Sequence, residues 1–424
     1  MKKRVPVRFK TYKHQFVTKG NQLIVKHLIV LEYSDGTLGF TDFHRYALSH
    51  KTRMENIGSD NRVKLGFIIQ LLNYAFFDRH ICCLNEITVD IIKDFLNAYA
   101  GSTLPNDGEY AKRAKSTYDA CCSTILDFFQ NYLMYNKGAL PFEEDDMFTY
   151  ESYRDKNGRC FQRKVPKFNI YYNTDTKPIF RDMPNAVFEI LFDHITVYHP
   201  EMLGLVLLSA FGGLRPSEAC NVKREGAPDG SGIRITTVNG IVRSVEIDIS
   251  RERPMRSDLV SVGKIKKERK VTVPQCFLQA FMSAYSTYLD YLEMQPYEEE
   301  YAPFSVNSRG KAITYELYYK MFRSMVKDEL VPILLSSEDP TVVNFGHALL
   351  ENNISPHIFR HWFTVQLVLS GINDPIVIAN YRGDSSVQSA VTYLNNKSEL
   401  QRAFKEVNEE QFEFMKWASE KIFL

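Results

Sequence analysis

The sequence ISPHIFRHWFTVQLVLSGINDPIVIANYRGDSSVQSAVTYLNN, residues Ile354–Asn396, decides the fold of the second half of the chain. Apolar residues between positions 356 and 370 recur mostly at helical spacing, which predicts a helix with His357 and Arg360 on one face. Tyr393 follows thirty-three residues after Arg360. Two shorter helices are expected beyond the first, at Pro375–Tyr381 and Ser386–Leu394.

Each of these pieces is common by itself, because a His-x-x-Arg pair arises by chance and a tyrosine on an apolar helix face is usually a core residue. Two upstream motifs add weight to them. FGGLRPSEA, residues 211–219, sets a glycine pair between a buried helix and Arg215, so a tight turn holds that arginine. VGKIKKERKVTVP, residues 262–274, is typical of the second arm of a β-hairpin. The expected hairpin tip carries Lys264, Lys266 and Lys267.

These residues, in this order, resemble the catalytic series of the tyrosine recombinases, the phage integrase family: Arg215, a hairpin lysine, His357, Arg360 and Tyr393. The resemblance covers about residues 185–396. GGLRPSEA is similar to the family's first-arginine box, with Glu218 at its acidic position, and HIFRHWF is similar to its His-x-x-Arg-His box. Lys264 is the best-aligned hairpin lysine, and Lys266 and Lys267 are the alternatives.

The sequence departs from the family at one position. The family has a glycine followed by histidine or tryptophan nine residues before the tyrosine, and this chain has Gly383 and Asp384 there. An aspartate beside a phosphodiester repels it unless the carboxyl is protonated or turned onto a neighbouring arginine such as Arg382. The role of Asp384 is therefore open.

The resemblance implies a specific chemistry. Two guanidinium forks, Arg215 and Arg360, would clamp the phosphodiester oxygens, whose negative charge grows in the five-coordinate transition state. Tyr393 would attack phosphorus and form a 3'-phosphotyrosyl link that a 5'-hydroxyl can later reverse. His357 would take the phenolic proton or hold the phosphate, and Lys264 would protonate the departing 5'-oxygen. The scheme requires neither a metal nor another cofactor.

Composition sets the bounds of this interpretation. The chain has 424 residues, of which 44% are hydrophobic, so it can form two or three domains with ample core. The formal net charge is only +1, so affinity for nucleic acid has to come from local basic patches. Residues 1–60 hold eleven Lys or Arg against five Asp or Glu, and residues 251–270 hold eight against three. Solvated surface is the alternative interpretation of either patch.

The expected fold is mainly α with a small β-hairpin or sheet, in five segments. Residues 1–60 are basic and β-rich, with strands expected at Leu23–Tyr33 and Thr37–Phe43, and form either an accessory DNA-binding module or a packing flap. Residues 61–138 form a helical core-binding domain, with helices expected at Val63–Phe77, Val89–Tyr99 and Ala111–Met134. Its last helix, Ala111–Met134, begins with the expected DNA contacts Lys112, Arg113 and Lys115. Residues 139–184 form a linker, 185–396 the catalytic domain, and 397–424 an amphipathic tail. The tail either docks on a neighbouring protomer or folds back.

The seven cysteines show neither metal-ligand spacing nor a disulfide framework, so buried thiols in a reducing cytoplasm are expected. No apolar run is long enough for a membrane span, and the charged N-terminus lacks a following apolar core. A cytoplasmic protein, associated with the nucleoid when it is bound to DNA, is the resulting expectation.

The leading functional hypothesis is a site-specific DNA recombinase or integrase of a mobile element. Its expected partners are double-stranded DNA, further copies of the chain in a tetramer on two DNA sites, and accessory DNA-bending proteins. The alternatives are a catalytically weakened DNA-binding regulator, which Asp384 would explain, and a type IB topoisomerase-like strand relaxer. A regulator has no need of the nucleophile Tyr393, which favours an enzyme.

Overall fold

The computed structural model describes residues 4–19, 23–47, 60–105, 113–154, 160–169 and 183–384. The chain divides into two compact units, Met1–Phe16 with Ile24–Pro178 and Val17–Leu23 with Ile179–Leu424. Helices predominate and the sheets are small, which confirms the expected α+β class. Tyr393, its predicted helix Ser386–Leu394 and the tail 397–424 lie outside the described residues.

The first unit begins with a three-stranded sheet in the order β1 (Pro6–Val17), β2 (Leu23–Tyr33) and β3 (Leu38–Phe40). A strand with the bounds of β2 was predicted, and β3 lies within the predicted return strand Thr37–Phe43. β2 and β3 pair antiparallel across a turn at Gly36, which has a positive φ of 79°. β1 has no counterpart among the predicted strands, because its mostly exposed residues carry little apolar alternation.

Helices supply most of the core of the first unit. They are α1 (Asp60–Asn73), continued by a π-helical turn (Tyr74–Asp78), α2 (Val89–Gly101) and α3 (Lys115–Tyr135). Phe95, Phe128 and Phe129 from these helices are completely buried. The helical spacing therefore predicted the right elements, although α3 begins at Lys115 and Lys112 lies outside the described residues.

The structure differs from the expected linker at residues 139–184. This stretch contains α4 (Glu144–Met147) and an antiparallel hairpin of β4 (Phe148–Arg154) and β5 (Cys160–Pro166). Cross-strand pairs hold the hairpin together, among them the stacked rings of Tyr153 and Phe161, 5.8 Å apart. The strands escaped detection because they are mostly exposed and stabilised by pairing instead of by burial of one face.

The second unit places helices around a small antiparallel sheet. The sheet has the order β6 (Ile233–Val238), β7 (Ile241–Ile249) and β8 (Arg269–Thr272). The helices are α5 (Asn185–Tyr198), α6 (Pro200–Ala210), α7 (Pro216–Ala219), α8 (Gln275–Glu293), α9 (Tyr315–Met325), α10 (Val331–Leu335), α11 (Pro340–Glu351), α12 (His357–Leu369) and α13 (Pro375–Arg382). Asn239 and Gly240, both with positive φ, connect β6 to β7 as a tight hairpin turn requires.

The apolar face of α12 packs into the centre of this unit. The Trp362 indole stacks on Phe188 of α5 with ring centroids 3.8 Å apart. Asn185 Oδ1 accepts hydrogen bonds from Trp362 Nε1 at 3.0 Å and from Gln366 Nε2 at 2.6 Å, so the buried polar groups are paired. Because α12 is fixed in this way, the residues at its N-terminus have defined positions.

The cysteines differ in part from the prediction. Cys121, Cys122 and Cys220 are buried, Cys276 is half-buried, and Cys82, Cys83 and Cys160 are exposed. All seven are free thiols. Among the described helices, none combines the length and the apolar character that a membrane crossing needs.

Candidate active site

Arg215 lies at the turn between α6 and α7, and two features fix it there. Gly213 has a φ of +66°, and a Cβ at this position would come within 2.4 Å of the Phe363 ring, so the turn requires glycine. Glu218 Oε2 accepts from the Arg215 backbone N–H at 3.1 Å, and its Oε1 accepts from Arg215 Nη1 at 2.8 Å. Backbone and guanidinium are held by the same carboxylate, so the arginine is fixed, as the tight turn predicted.

Glu218 has a second arginine partner that the sequence analysis missed. Arg269, at the start of β8, donates from Nη1 and Nη2 to the two carboxylate oxygens of Glu218 at 3.2 and 3.0 Å. Burial by itself raises the pKa of Glu218, but Arg269 and Arg215 together outweigh it and lower the pKa below its ordinary value. Arg269 belongs to the basic run KKERK, in which only the lysines suggested a function.

Arg360 extends from the first turn of α12 and is almost fully buried, with 3% of its side chain exposed. Its Nη1 donates to the backbone carbonyl of Gly213, in the turn before Arg215, and its Nη2 donates to the carbonyl of Arg382 at 2.7 Å. Burial, followed by the neighbouring arginines, lowers its pKa to about 9, so the guanidinium remains charged at neutral pH. The backbone carbonyls of Gly213, in a turn, and of Arg382, at the end of α13, therefore orient this guanidinium.

Asp384 places one carboxylate oxygen between the two predicted clamp arginines. Its Oδ1 accepts from Arg215 Nη2 at 2.6 Å and from Arg360 Nη2 at 2.8 Å, and its Oδ2 accepts from Arg382 Nε at 2.7 Å. Burial by itself raises the pKa of Asp384, but Arg360, Arg382 and Arg215 outweigh it and lower the pKa. The carboxylate is thus ionised and turned onto arginines, Arg382 among them, which is one of the two arrangements considered from the sequence.

Gly383 permits this arrangement. It ends α13 in the left-handed conformation with a φ of +62°, which turns the chain and directs Asp384 back toward α12. A Cβ on Gly383 would come within 2.1 Å of Arg269 Nε, so the backbone and Arg269 lie in close contact. Glycine is needed here both for the turn and for the space.

His357 is the first residue of α12 and lies close to the arginines. Burial, followed by the charges of Arg360, Arg215 and Arg382, lowers its pKa to about 4. The imidazole is therefore neutral at pH 7, which is the form able to accept a proton. The structure thus has His357 in the protonation state that a general base needs.

His357→Gln is expected to reduce the loss of stability between pH 7 and pH 5. The folded pKa of about 4 lies below the ordinary value of 6.5. The unfolded chain therefore takes up this proton first, and the free energy of unfolding falls as the pH drops from 6.5 toward 4. The group accounts for a loss on the order of 2 kcal/mol by pH 5. Urea unfolding at pH 7 and pH 5 measures the loss in the free energy of unfolding, with the exposed His347→Gln as control. Equal losses in the wild type and both variants would contradict the prediction.

The three lysines lie in an irregular connection before β8 and not at the predicted tip of a β-hairpin. β8 comprises only Arg269–Thr272, and the residues from Ser250 to Glu268 form an irregular connection. Asn221 Nδ2 donates to the Gly263 carbonyl at 3.0 Å and Ser217 Oγ donates to the Lys264 carbonyl at 3.0 Å. These bonds fasten the backbone of Lys264 to α7, next to Arg215, whereas Lys266 and Lys267 are exposed. Among the three lysines, Lys264 is the one whose backbone is hydrogen-bonded to α7, and the choice of general acid stays a prediction.

The cluster has an excess of positive charge. Four guanidinium groups (Arg215, Arg269, Arg360, Arg382) and two carboxylates (Glu218, Asp384) leave +2, since 4 minus 2 is 2. Each of these side chains is at most 13% exposed. A buried positive excess attracts an anion strongly, because solvent screens it little.

The other predicted residues are elsewhere or not described. Tyr393 and Lys112 lie outside the described residues. Arg113 donates to the Tyr99 carbonyl at 2.8 Å and lies 4.0 Å over the Tyr99 ring, and Lys115 pairs with Asp119 at 3.7 Å. Both belong to the first unit, and their DNA contacts stay a prediction.

No protein-family model matches the sequence. No curated protein matches it either. Among solved structures it is similar to the Tn1549 transposon integrase in complex with transposon right end DNA, with a TM-score of 0.48, 14% identity, and coverage of 85% of this chain and 99% of that one. It is also similar to the XerH site-specific recombinase bound to difH substrate, with a TM-score of 0.45, 17% identity and 80% and 78% coverage.

A lambda integrase dimer bound to a COC' core site gives a TM-score of 0.41 at 12% identity, with 83% of this chain and 92% of that chain covered. By name, the three neighbours are a transposon integrase, a site-specific recombinase and a lambda integrase, each in complex with DNA.

Proposed function

We propose that the chain is a site-specific DNA recombinase or integrase, which cleaves and rejoins DNA strands through a phosphotyrosyl intermediate. The observation that carries the proposal is the convergence of Arg215 and Arg360 on a single anionic oxygen, at 2.6 and 2.8 Å. Two guanidinium groups at hydrogen-bond distance from one point suit a non-bridging oxygen of a phosphodiester. The excess of +2 in the cluster matches the total charge of a phosphodiester, which rises from one negative charge toward two as phosphorus becomes five-coordinate.

The proposed reaction is a transesterification. The Tyr393 oxygen forms a bond to phosphorus while the bond from phosphorus to the 5'-oxygen breaks, and the phenolic proton passes to neutral His357. Lys264 supplies a proton to the departing 5'-oxygen. The reverse attack by the 5'-hydroxyl of another strand restores the phosphodiester and frees Tyr393, so no nucleotide is consumed.

Asp384 has to move or share its position for this reaction. Its Oδ1 lies where the phosphate oxygen would bind, and two anionic oxygens repel each other at that distance. This observation favours the second candidate function, a DNA-binding regulator whose clamp is blocked by its own carboxylate. The two candidates differ in whether a covalent adduct forms.

Tyr393→Phe is expected to abolish the covalent adduct and to leave DNA binding intact, because it removes only the nucleophilic oxygen. A duplex selected by the protein from a random-sequence pool supplies the substrate. A nick beside the cleavage site lets the cleaved fragment diffuse away and traps the adduct for a denaturing gel. Binding without an adduct in the wild type would exclude the enzyme and support the regulator. Relaxation of supercoiled plasmid without any strand exchange would instead support the topoisomerase-like alternative.

We also propose that the tail from 397 onward assembles protomers into a tetramer on two DNA sites in the cytoplasm. Its sequence carries more aromatic residues than a solvent-exposed segment usually does. Truncation after Lys397 is expected to reduce the assembly on DNA to dimers or monomers, as measured by light scattering with and without the selected duplex. An unchanged mass on DNA would assign the tail to its own protomer.

A further inference from the structure

Three side chains of the second unit, none of them in the arginine cluster, converge on one point. His194 is near the end of α5, His199 directly follows that helix, and Glu329 belongs to a π-helical turn, Val326–Leu330, between α9 and α10. The Nε2 atoms of both histidines lie 2.8 Å from Glu329 Oε2. Two imidazole nitrogens and a carboxylate oxygen form a donor set that zinc and other late transition metals prefer.

The distances fit a metal after a small expansion. Zinc bonds to nitrogen and oxygen at about 2.0 to 2.2 Å, so neighbouring ligand atoms in a tetrahedral site lie about 3.3 Å apart. The distance from each histidine nitrogen to Glu329 Oε2 then has to increase by about 0.5 Å. A rotation of the half-exposed Glu329 side chain can supply this change. The three ligand atoms already lie within 4.8 Å of one another.

The surroundings orient the ligands and leave access. His199 Nδ1 lies 3.7 Å from Glu201 Oε1, and the His194 ring packs against the Tyr198 ring at 4.9 Å. The side chain of Glu329 is 40% exposed, so an ion can enter and water can complete its coordination. Three protein ligands leave a fourth position for water, as in zinc sites that no fourth protein ligand closes.

The π-helical turn is a second, independent observation. The Val331 backbone N–H donates to the Val326 carbonyl, so the turn contains one residue more than an α-helical turn. This extra residue rotates the positions around Glu329 relative to α9. π-Helical turns are rare and often lie at functional sites, because a regular helix would misplace the side chain that they present.

We propose that His194, His199 and Glu329 bind a divalent transition metal, with zinc as the best match, which links the end of α5 to the segment between α9 and α10. The inference does not depend on the recombinase function. The three residues escaped detection from the sequence, because Glu329 lies 130 residues from His199 in the chain.

Metal binding to tag-free, chelator-treated protein tests the proposal. We expect one Zn²⁺ per chain by titration calorimetry, an absorption band of four- or five-coordinate Co²⁺, and a rise of several degrees in the unfolding temperature on addition of Zn²⁺. Glu329→Gln is expected to weaken Zn²⁺ binding by at least about a hundredfold. Because Glu329 is half-exposed, this variant should fold, and circular dichroism verifies it.

Two controls separate this site from other ligands. His347→Gln, at an exposed position of α11, should bind Zn²⁺ like the wild type. Replacement of the exposed pair Cys82 and Cys83 by serine should also leave the high-affinity site intact. Equal Zn²⁺ affinity in the wild type and Glu329→Gln, or loss of binding only in the cysteine variant, would overturn the proposal. Absence of Zn²⁺ binding would also overturn the proposal, and the three side chains would then form only a hydrogen-bonded cluster.

Discussion

Arg360→Lys is expected to slow formation of the covalent DNA adduct by about 10²–10³-fold, the cost of losing one preorganised donor to a developing anion. Arg360 uses both ends of its planar fork, one on the Gly213 carbonyl and the other on the Arg382 carbonyl and Asp384. A lysine ammonium is a single point charge and cannot hold the two backbone carbonyls and the phosphate oxygen together. Single-turnover cleavage of the nicked duplex measures the rate.

The matched control is Arg323→Lys, which changes an exposed arginine of α9 in the same unit. It should cleave at the wild-type rate. Mobility shifts of both variants separate binding from chemistry, because many other contacts to the phosphates contribute to affinity. A wild-type cleavage rate in Arg360→Lys would remove Arg360 from the proposed clamp.

Asp384→Asn is expected to have two opposite effects. The substitution raises the charge of the arginine cluster from +2 to +3 and leaves buried guanidinium groups without their counter-ion, so the free energy of unfolding should fall by about 3–5 kcal/mol at low salt. It also removes the carboxylate that competes with the phosphate. Affinity for the selected duplex should therefore rise by at least about tenfold, which corresponds to 1.4 kcal/mol.

Sulfate distinguishes the two effects. In Asp384→Asn, sulfate should bind between Arg215 and Arg360 and restore much of the lost thermal stability. The thermal stability of the wild type should rise far less with sulfate, because its own carboxylate occupies that position. Thermal unfolding over a sulfate series gives the answer, with sodium chloride at matched ionic strength as control. The same response to sulfate in both proteins would show that the site between the arginines is not the anion site.

The sequence predicted the residues whose position depends on local context. The glycine pair before Arg215 and the helical spacing around Arg360 were sufficient to place both arginines on fixed elements, and the structure brings them to the same oxygen. The neighbourhood of Arg382 and Asp384 was also recognisable, because the two residues are only two positions apart.

Features that depend on tertiary pairing could not be predicted in this way. Arg269 is one cation in a basic run until folding sets it against Glu218, and the run itself predicted a longer strand than β8. The exposed strands β1, β4 and β5 lack an apolar alternation because hydrogen bonds and cross-strand pairs stabilise them. Apolar periodicity predicts a helix or strand only where one of its faces is buried, so it does not predict strands that stay at the surface.

The carboxylate between Arg215 and Arg360 has a consequence for selectivity inside a cell. Cells contain inorganic phosphate and nucleotides, and an open pair of buried arginines would bind such small anions. Asp384 makes each such small anion compete with a carboxylate that is tethered to the clamp and so has a high effective concentration. A DNA duplex brings many phosphate contacts at once and can meet that competition, whereas a single phosphate cannot. If the chain acts on DNA as proposed, the internal counter-ion would favour the duplex over metabolites that share the chemistry of that substrate.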